Sequence, residues 1–98
     1  MNEGIASLEE GGGRWALSGP LVMDTVALVL GASATRPLPE TGVIDMTNVQ
    51  RVDSAAVALM LAWKRRAAGE AKPLTFASVP ANITSLAALY GVAELLET

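Results

Sequence analysis

Three side chains that could carry out chemistry lie close together in the middle of the chain: Asp45, Asp53 and Ser54. Two carboxylates can act as general acid and general base, and a serine can serve as a nucleophile or accept a phosphate. The chain contains no histidine and no cysteine, so the usual nucleophile–base pairs and zinc sites cannot be built. An acid–base enzyme would need a defined pocket between the two aspartates. We expect the aspartates instead to bond nearby amides, and we predict a non-enzyme without metal or cofactor.

The residues before Ser54 predict a strand followed by a loop. Within residues 42–46, Val43, Ile44 and Met46 are apolar, and the segment is bounded by turn residues, which is typical of an inner strand. Asp45 stands at the end of this strand, and residues 47–53 are predicted to form a loop. We expect Asp45 and Thr47 to shape that loop through hydrogen bonds to its amides.

A helix is predicted over residues 55–68, with Ser54 as its N-cap and Gly69 as the residue that stops it. Successive helical residues point about 100° apart, which defines two faces. The face predicted to contact the sheet carries Val57, Met60, Leu61 and Ala68. The opposite face carries Ala55, Ala58, Ala62 and Arg65, with Leu59 and Arg66 at its flanks. Because small side chains let another backbone approach closely, this second face is a candidate docking surface. The alternative is that alanine simply favours the helix and needs no partner.

The rest of the chain predicts the elements that must position this segment. They are a hairpin of strands 5–9 and 14–18 joined by three glycines, a helix over 24–34, a strand over 74–78, a helix that opens at residues 78–80 with Pro80 in its first turn and ends at Gly91, and a short turn or helix over 92–96. The helix after Pro80 is expected to turn Ile83, Leu86, Ala87 and Tyr90 towards the core. Strand–helix–strand units favour parallel pairing through right-handed crossovers. The chain is therefore predicted to be a single α/β domain over residues 1–98, in the order ββαβαβα, with helices packed on a small mixed four-stranded sheet.

Composition excludes several classes of protein. Hydrophobic residues make up 51% of the chain, yet the longest apolar run, residues 55–63, is about half of the ~20 residues that a bilayer span requires. The net charge of −3 argues against a nucleic-acid-binding module, which normally carries a basic excess. The N-terminal residues are acidic where a secretory signal would be basic, so we expect a cytoplasmic protein.

The string DMTNVQRVDS, from Asp45 to Ser54, is followed by a helix of small residues and resembles the signature of the STAS family. This family comprises the sulphate-transporter and anti-sigma-factor-antagonist domains. The predicted element order agrees with the family over nearly the whole chain. Within the family, WALSG at residues 15–19 and LAALYGV at residues 86–92 resemble the small stand-alone subunits of phospholipid-transporting ABC complexes in Gram-negative bacteria.

The resemblance implies a function and a set of contact residues. It implies a non-catalytic subunit that binds the transporter's ATPase, and through it the membrane permease, and so lies on the inner membrane as a peripheral protein. The residues expected to contact the ATPase are Asp53, Ser54, Ala55, Ala58, Leu59 and Ala62. The alternative within the family is an antagonist of an anti-sigma factor, in which the serine that matches Ser54 is phosphorylated to switch partner binding.

Overall fold

The computed structural model describes residues 5–97 of the chain. Within this range the elements are β1 Ser7–Gly11, β2 Arg14–Leu21, α1 Met23–Ala34, β3 Val43–Val52, α2 Ser54–Gly69, β4 Thr75–Ala77, α3 Ala81–Leu89 and α4 Ala93–Glu97. The strands form one sheet in the order β1-β2-β3-β4. β1 and β2 are antiparallel, whereas β2, β3 and β4 are parallel. The predicted α/β class with a mixed four-stranded sheet is confirmed.

The hairpin between β1 and β2 turns on two glycines. Gly12 and Gly13 have φ angles of 62° and 77°. These positive values match the tight turn that suits the twist of antiparallel strands, and glycine adopts them without steric cost. The turn pairs Gly11 with Arg14 and sets the register along the two strands.

Two tryptophans form the centre of the core. Trp15 of β2 and Trp63 of α2 are each fully buried, and their rings meet edge to face with centroids 5.6 Å apart. The indole N–H of Trp63 donates to the hydroxyl of Ser33 at 3.0 Å, which satisfies a buried polar group of α1. Trp63 therefore packs α2 against both the sheet and the neighbouring helix.

The predicted loop at residues 47–53 is wrong, because β3 continues through most of it. β3 stays paired with β2 as far as Val52, which faces Leu21. Two irregularities interrupt the pairing, and at the second of them Gln50 and Arg51 lie opposite Pro20 alone. Proline has no N–H to donate to the neighbouring strand, so β3 accommodates an extra residue at this point.

The side of α2 that faces the core differs from the predicted side by a rotation of roughly one residue about the helix axis. Met60 and Val57 are buried as expected. Leu61 is only half-buried and Ala68 is exposed, whereas Leu59 is buried with 1% of its surface accessible. The difference arises because the large Trp63 ring faces Trp15, and this contact fixes the rotation of the helix.

Two predicted helix details also need correction. Gly69 was predicted to stop α2 but is its last residue. The chain turns away just after it, where Ala71 has a φ of 57° and the N–H of Lys72 donates to the carbonyl of Ala67 at 2.9 Å. On α3, Ile83 and Ala87 face the core, but Tyr90 lies just beyond the helix and is exposed.

Candidate functional site

Asp53 stands where the first turns of two helices meet. Its Oδ1 accepts a hydrogen bond from the N–H of Ala55 at 2.8 Å, which makes Asp53 the N-cap of α2. Its Oδ2 accepts a hydrogen bond from the N–H of Met23, the first residue of α1, at 3.0 Å. The first amides of a helix have no partner within the helix and carry partial positive charge. One carboxylate therefore satisfies an unpaired amide in each helix.

The prediction that Ser54 caps α2 is wrong by one residue. Ser54 is the first residue of the helix, and Asp53 takes the capping position. The side chain of Ser54 is exposed, and its hydroxyl makes no hydrogen bond to any group within residues 5–97. Ser54 is therefore accessible to a partner or a modifying enzyme and is not needed to cap the helix.

Asp45 and Thr47 bond to each other at the first irregularity of β3. The Oδ1 atom of Asp45 accepts hydrogen bonds from the hydroxyl of Thr47 at 2.6 Å and from its N–H at 3.0 Å. At this point Ala16 faces Asp45 and Ser18 faces Asn48, so one residue of β2 lies opposite two of β3. The pair shapes the backbone as expected, although it shapes a bulged strand instead of a loop.

The hydrogen bonds from Thr47 lower the pKa of Asp45 below its ordinary value, and the nearby charge of Arg14 adds to this effect. The carboxylate is therefore stabilised in its ionised form, which is a poor general acid. Asp53 is likewise occupied by two backbone amides. Each aspartate thus bonds its own stretch of backbone, an arrangement that favours a structural role for both. In the described part of the chain, no three acidic residues are grouped so that they could hold a metal ion.

Helices α1 and α2 run side by side from their first turns. The contact between Met23 and Asp53 and the contact between Ser33 and Trp63 each join residues 30 positions apart. Because the separation in sequence is the same at both contacts, the two helices run in the same direction. The residues between these two contacts therefore form one continuous two-helix surface.

Five of the six residues predicted to contact a partner are at least partly accessible in the structure. Ser54 and Ala58 are exposed, and Asp53, Ala55 and Ala62 are half-buried. Leu59 is the exception, because it lies in the core and cannot contact a partner. Apart from Leu59, the predicted contact residues are at least partly accessible, and they extend from the N-cap to the middle of α2.

The α1 half was missed by the sequence reasoning. Met23 has 75% of its surface exposed and Leu30 has 39%, and Ala27 between them is also exposed. They recur at intervals of four and three residues, which places them on one side of α1. Asp24 is the only charged residue in this helix. The signal was present in the sequence, since a surface helix normally carries charges on its outer side.

We call the combined surface the α1–α2 face, and it consists of Met23, Ala27 and Leu30 on α1 and Ser54, Ala58 and Ala62 on α2. Most of its side chains are apolar and several are small. Its α2 part extends from the first residue of the helix to its middle, and the basic residues of α2 follow from Lys64 onwards. Two of these are already used inside the domain: Arg66 donates to the carbonyl of Ser33 at 3.0 Å, and Lys64 donates to the carbonyl of Leu74.

Comparison with known families matches residues 7–97 to a family described as "Mlab, STAS domain". A search of curated proteins gives no significant match. The family match covers nearly all of the described residues, and it confirms the resemblance that the string DMTNVQRVDS and the element order indicate. Within the described range, no helix is both long enough and apolar enough to cross a membrane.

Proposed function

This chain belongs to the STAS domain family, and from that membership we propose that it is a non-catalytic subunit of an ABC transporter of phospholipids. In this role the domain binds the ATPase subunit and supports its assembly and activity, and it reaches the membrane permease through the ATPase. The transporter would maintain the lipid asymmetry of the outer membrane. The domain itself would lie on the cytoplasmic side of the inner membrane as a peripheral protein.

The observation that carries this proposal is the α1–α2 face. Exposed apolar surface that extends over two neighbouring helices is typical of a protein–protein interface. Ala58 and Ala62 let a partner approach the backbone of α2 closely, and Met23 offers a flexible apolar side chain beside them. We expect an apolar segment of the ATPase to pack across α1 and α2.

A second candidate function rests on Ser54. Its exposed hydroxyl at the start of α2 suits a phosphorylation-switched antagonist of an anti-sigma factor. A phosphate there would add about −1.5 to −2 charges, and a helix N-terminus normally favours such an anion. However, Asp53 already accepts from the amides of Ala55 and Met23, and its negative charge would repel the phosphate. This arrangement favours the transporter role.

The proposal is tested by affinity purification of the tagged chain from its own cells. We expect an ABC ATPase and its permease to be recovered with the chain. Removal of the chain from the purified complex should lower the rate of ATP hydrolysis or dissociate the ATPase. The chain alone should not hydrolyse ATP. Recovery of a sigma-regulating kinase without an ATPase would replace the proposal with the antagonist role.

A further inference from the structure

A cavity of about 280 Å³ lies on the other side of the domain from α1, between β4, α3 and α4. Its inner wall is formed by Met60 of α2 and Ile83 of α3, both of which are fully buried. Phe76 and Val79 line it from the region of β4, and Leu96 lines it from α4. The cavity is therefore an apolar space that reaches from the core to the surface.

The C-terminal helix α4 leaves this space unfilled. α4 has five residues and, as the structure describes it, no fully buried side chain. Leu96 is only half-buried against the core. A helix this short has little stability of its own and depends on packing. An apolar occupant of the cavity would give α4 the packing that its own side chains do not provide.

The rim of the cavity indicates the charge of its occupant. Glu97 is the only charged residue that lines it in the described part of the chain, and Thr75 and Thr84 line it too. One cation lies close to this wall: the ammonium of Lys64 is 5.7 Å from the centre of the Phe76 ring. Lys64 donates to the carbonyl of Leu74 and does not line the cavity. The one charge that lines the cavity in the described part of the chain is therefore negative, which favours a cationic group at Glu97.

We propose that this cavity binds the alkyl chain of a single-chain amphiphile with a cationic head group. The chain packs on Met60, Ile83 and Phe76, and the head group lies at the rim beside the Glu97 carboxylate. This site shares no residue with the α1–α2 face, so the proposal does not rest on the proposed ATPase contact.

The probes are alkyltrimethylammonium ions of increasing chain length, used below their critical micelle concentrations. Binding is followed by the backbone amide NMR signals of α3, α4 and β4. Each added methylene should tighten the dissociation constant by about fourfold until the cavity is full, after which the affinity should level off. Alkyl sulfates and alkyl glucosides of equal length should bind more weakly.

Three variants locate the site. Ala93→Leu on α4 places extra volume at the cavity and should weaken binding at least tenfold. Ala88→Leu on the exposed side of α3 is the matched control and should bind like the unmodified chain. Glu97→Gln should remove the preference for the ammonium over the glucoside. An unchanged amide spectrum outside the site shows that each variant is folded.

Several outcomes would overturn the proposal. They are an affinity that does not depend on chain length, signal changes centred on the α1–α2 face, and equal binding by Ala93→Leu and Ala88→Leu. Tighter binding of the alkyl sulfate would place the head group near Lys64 and contradict the cationic assignment.

Discussion

The Oδ2 atom of Asp53 accepts a hydrogen bond from the N–H of Met23 at 3.0 Å, and this bond joins the first turns of α1 and α2. Met23 is also the most exposed apolar residue at that end of the α1–α2 face. The same aspartate thus caps α2 and positions a side chain of the proposed docking surface. Stability and partner binding should be coupled at this residue.

Asp53→Ala removes the acceptor of two helix amides. Loss of an N-cap typically costs about 1–2 kcal/mol, and we expect a value in the upper part of that range because the amide of Met23 also loses its partner. Asp53→Asn keeps a side-chain oxygen and should cost less. Ser54→Ala should change the free energy of unfolding by no more than about 0.5 kcal/mol, since Ser54 is not the cap. Urea denaturation measures the free energy of unfolding of all three variants. A larger loss of stability for Ser54→Ala than for Asp53→Ala would mean that Ser54 is the N-cap.

Asp45 should make stability depend on pH in the acidic range. Its pKa in the folded state is lowered from the ordinary value of 3.8 by the hydrogen bonds from Thr47. A lowered folded-state pKa adds stability that is fully present above about pH 4–5 and disappears as the pH falls through the lowered value. Asp45→Asn should therefore be less stable than the unmodified chain at neutral pH, and the difference should shrink in acid. Denaturation midpoints between neutral and strongly acidic pH test this, and a constant difference would contradict it.

Two glycines should respond oppositely to substitution by alanine. Gly19 has a φ of 84°, and a Cβ there would lie 2.1 Å from the carbonyl oxygen of Ile5, so Gly19→Ala should lower stability by more than about 1 kcal/mol. Gly31 lies within α1 with nothing within 4 Å of the position of its Cβ. Gly31→Ala should raise stability by about 0.5–1 kcal/mol through its better helix propensity. Thermal unfolding of both variants gives the comparison; similar shifts in the same direction would refute it.

The sequence identifies the elements more reliably than it orients them. The glycines of the hairpin, the apolar residues Val43, Ile44 and Met46, and the prolines near the ends of helices are local signals, and they identify each element, although not the full length of β3. The rotation of α2 is different, because residues 55–63 are all apolar and give no polar marker for the outer side. The contact between Trp63 and Trp15 decides that rotation, and it depends on residues distant in the sequence.

The extent of β3 has a similar explanation. Thr47, Asn48, Gln50 and Arg51 are all exposed, and their polar side chains are typical of a loop. They form a strand because β2 continues beside them to Leu21. The sequence places the candidate site at the start of α2, and this assignment stays a prediction, whereas its α1 half depends on the packing of two helices that the sequence does not reveal.

The last prediction separates the docking surface from the core on a single helix. Ala58 is exposed near the first turns of α2, and Leu59, the next residue, is buried. Ala58→Glu keeps a good helix former and should change stability by no more than about 0.5 kcal/mol. It places a charge in the middle of the α1–α2 face and should abolish binding of the ATPase.

Two controls complete this test. Ala68→Glu makes the same change at an exposed position near the other end of α2, outside the α1–α2 face, and should bind normally. Leu59→Ala should lower stability by roughly 2–5 kcal/mol through the cavity that it leaves in the core, and should reduce binding only to the extent that the domain unfolds. A urea denaturation curve and a titration with the purified ATPase are measured for each variant. If Ala58→Glu binds as tightly as Ala68→Glu, the partner does not use the α1–α2 face, because the two variants differ only in where on the helix the same charge is placed.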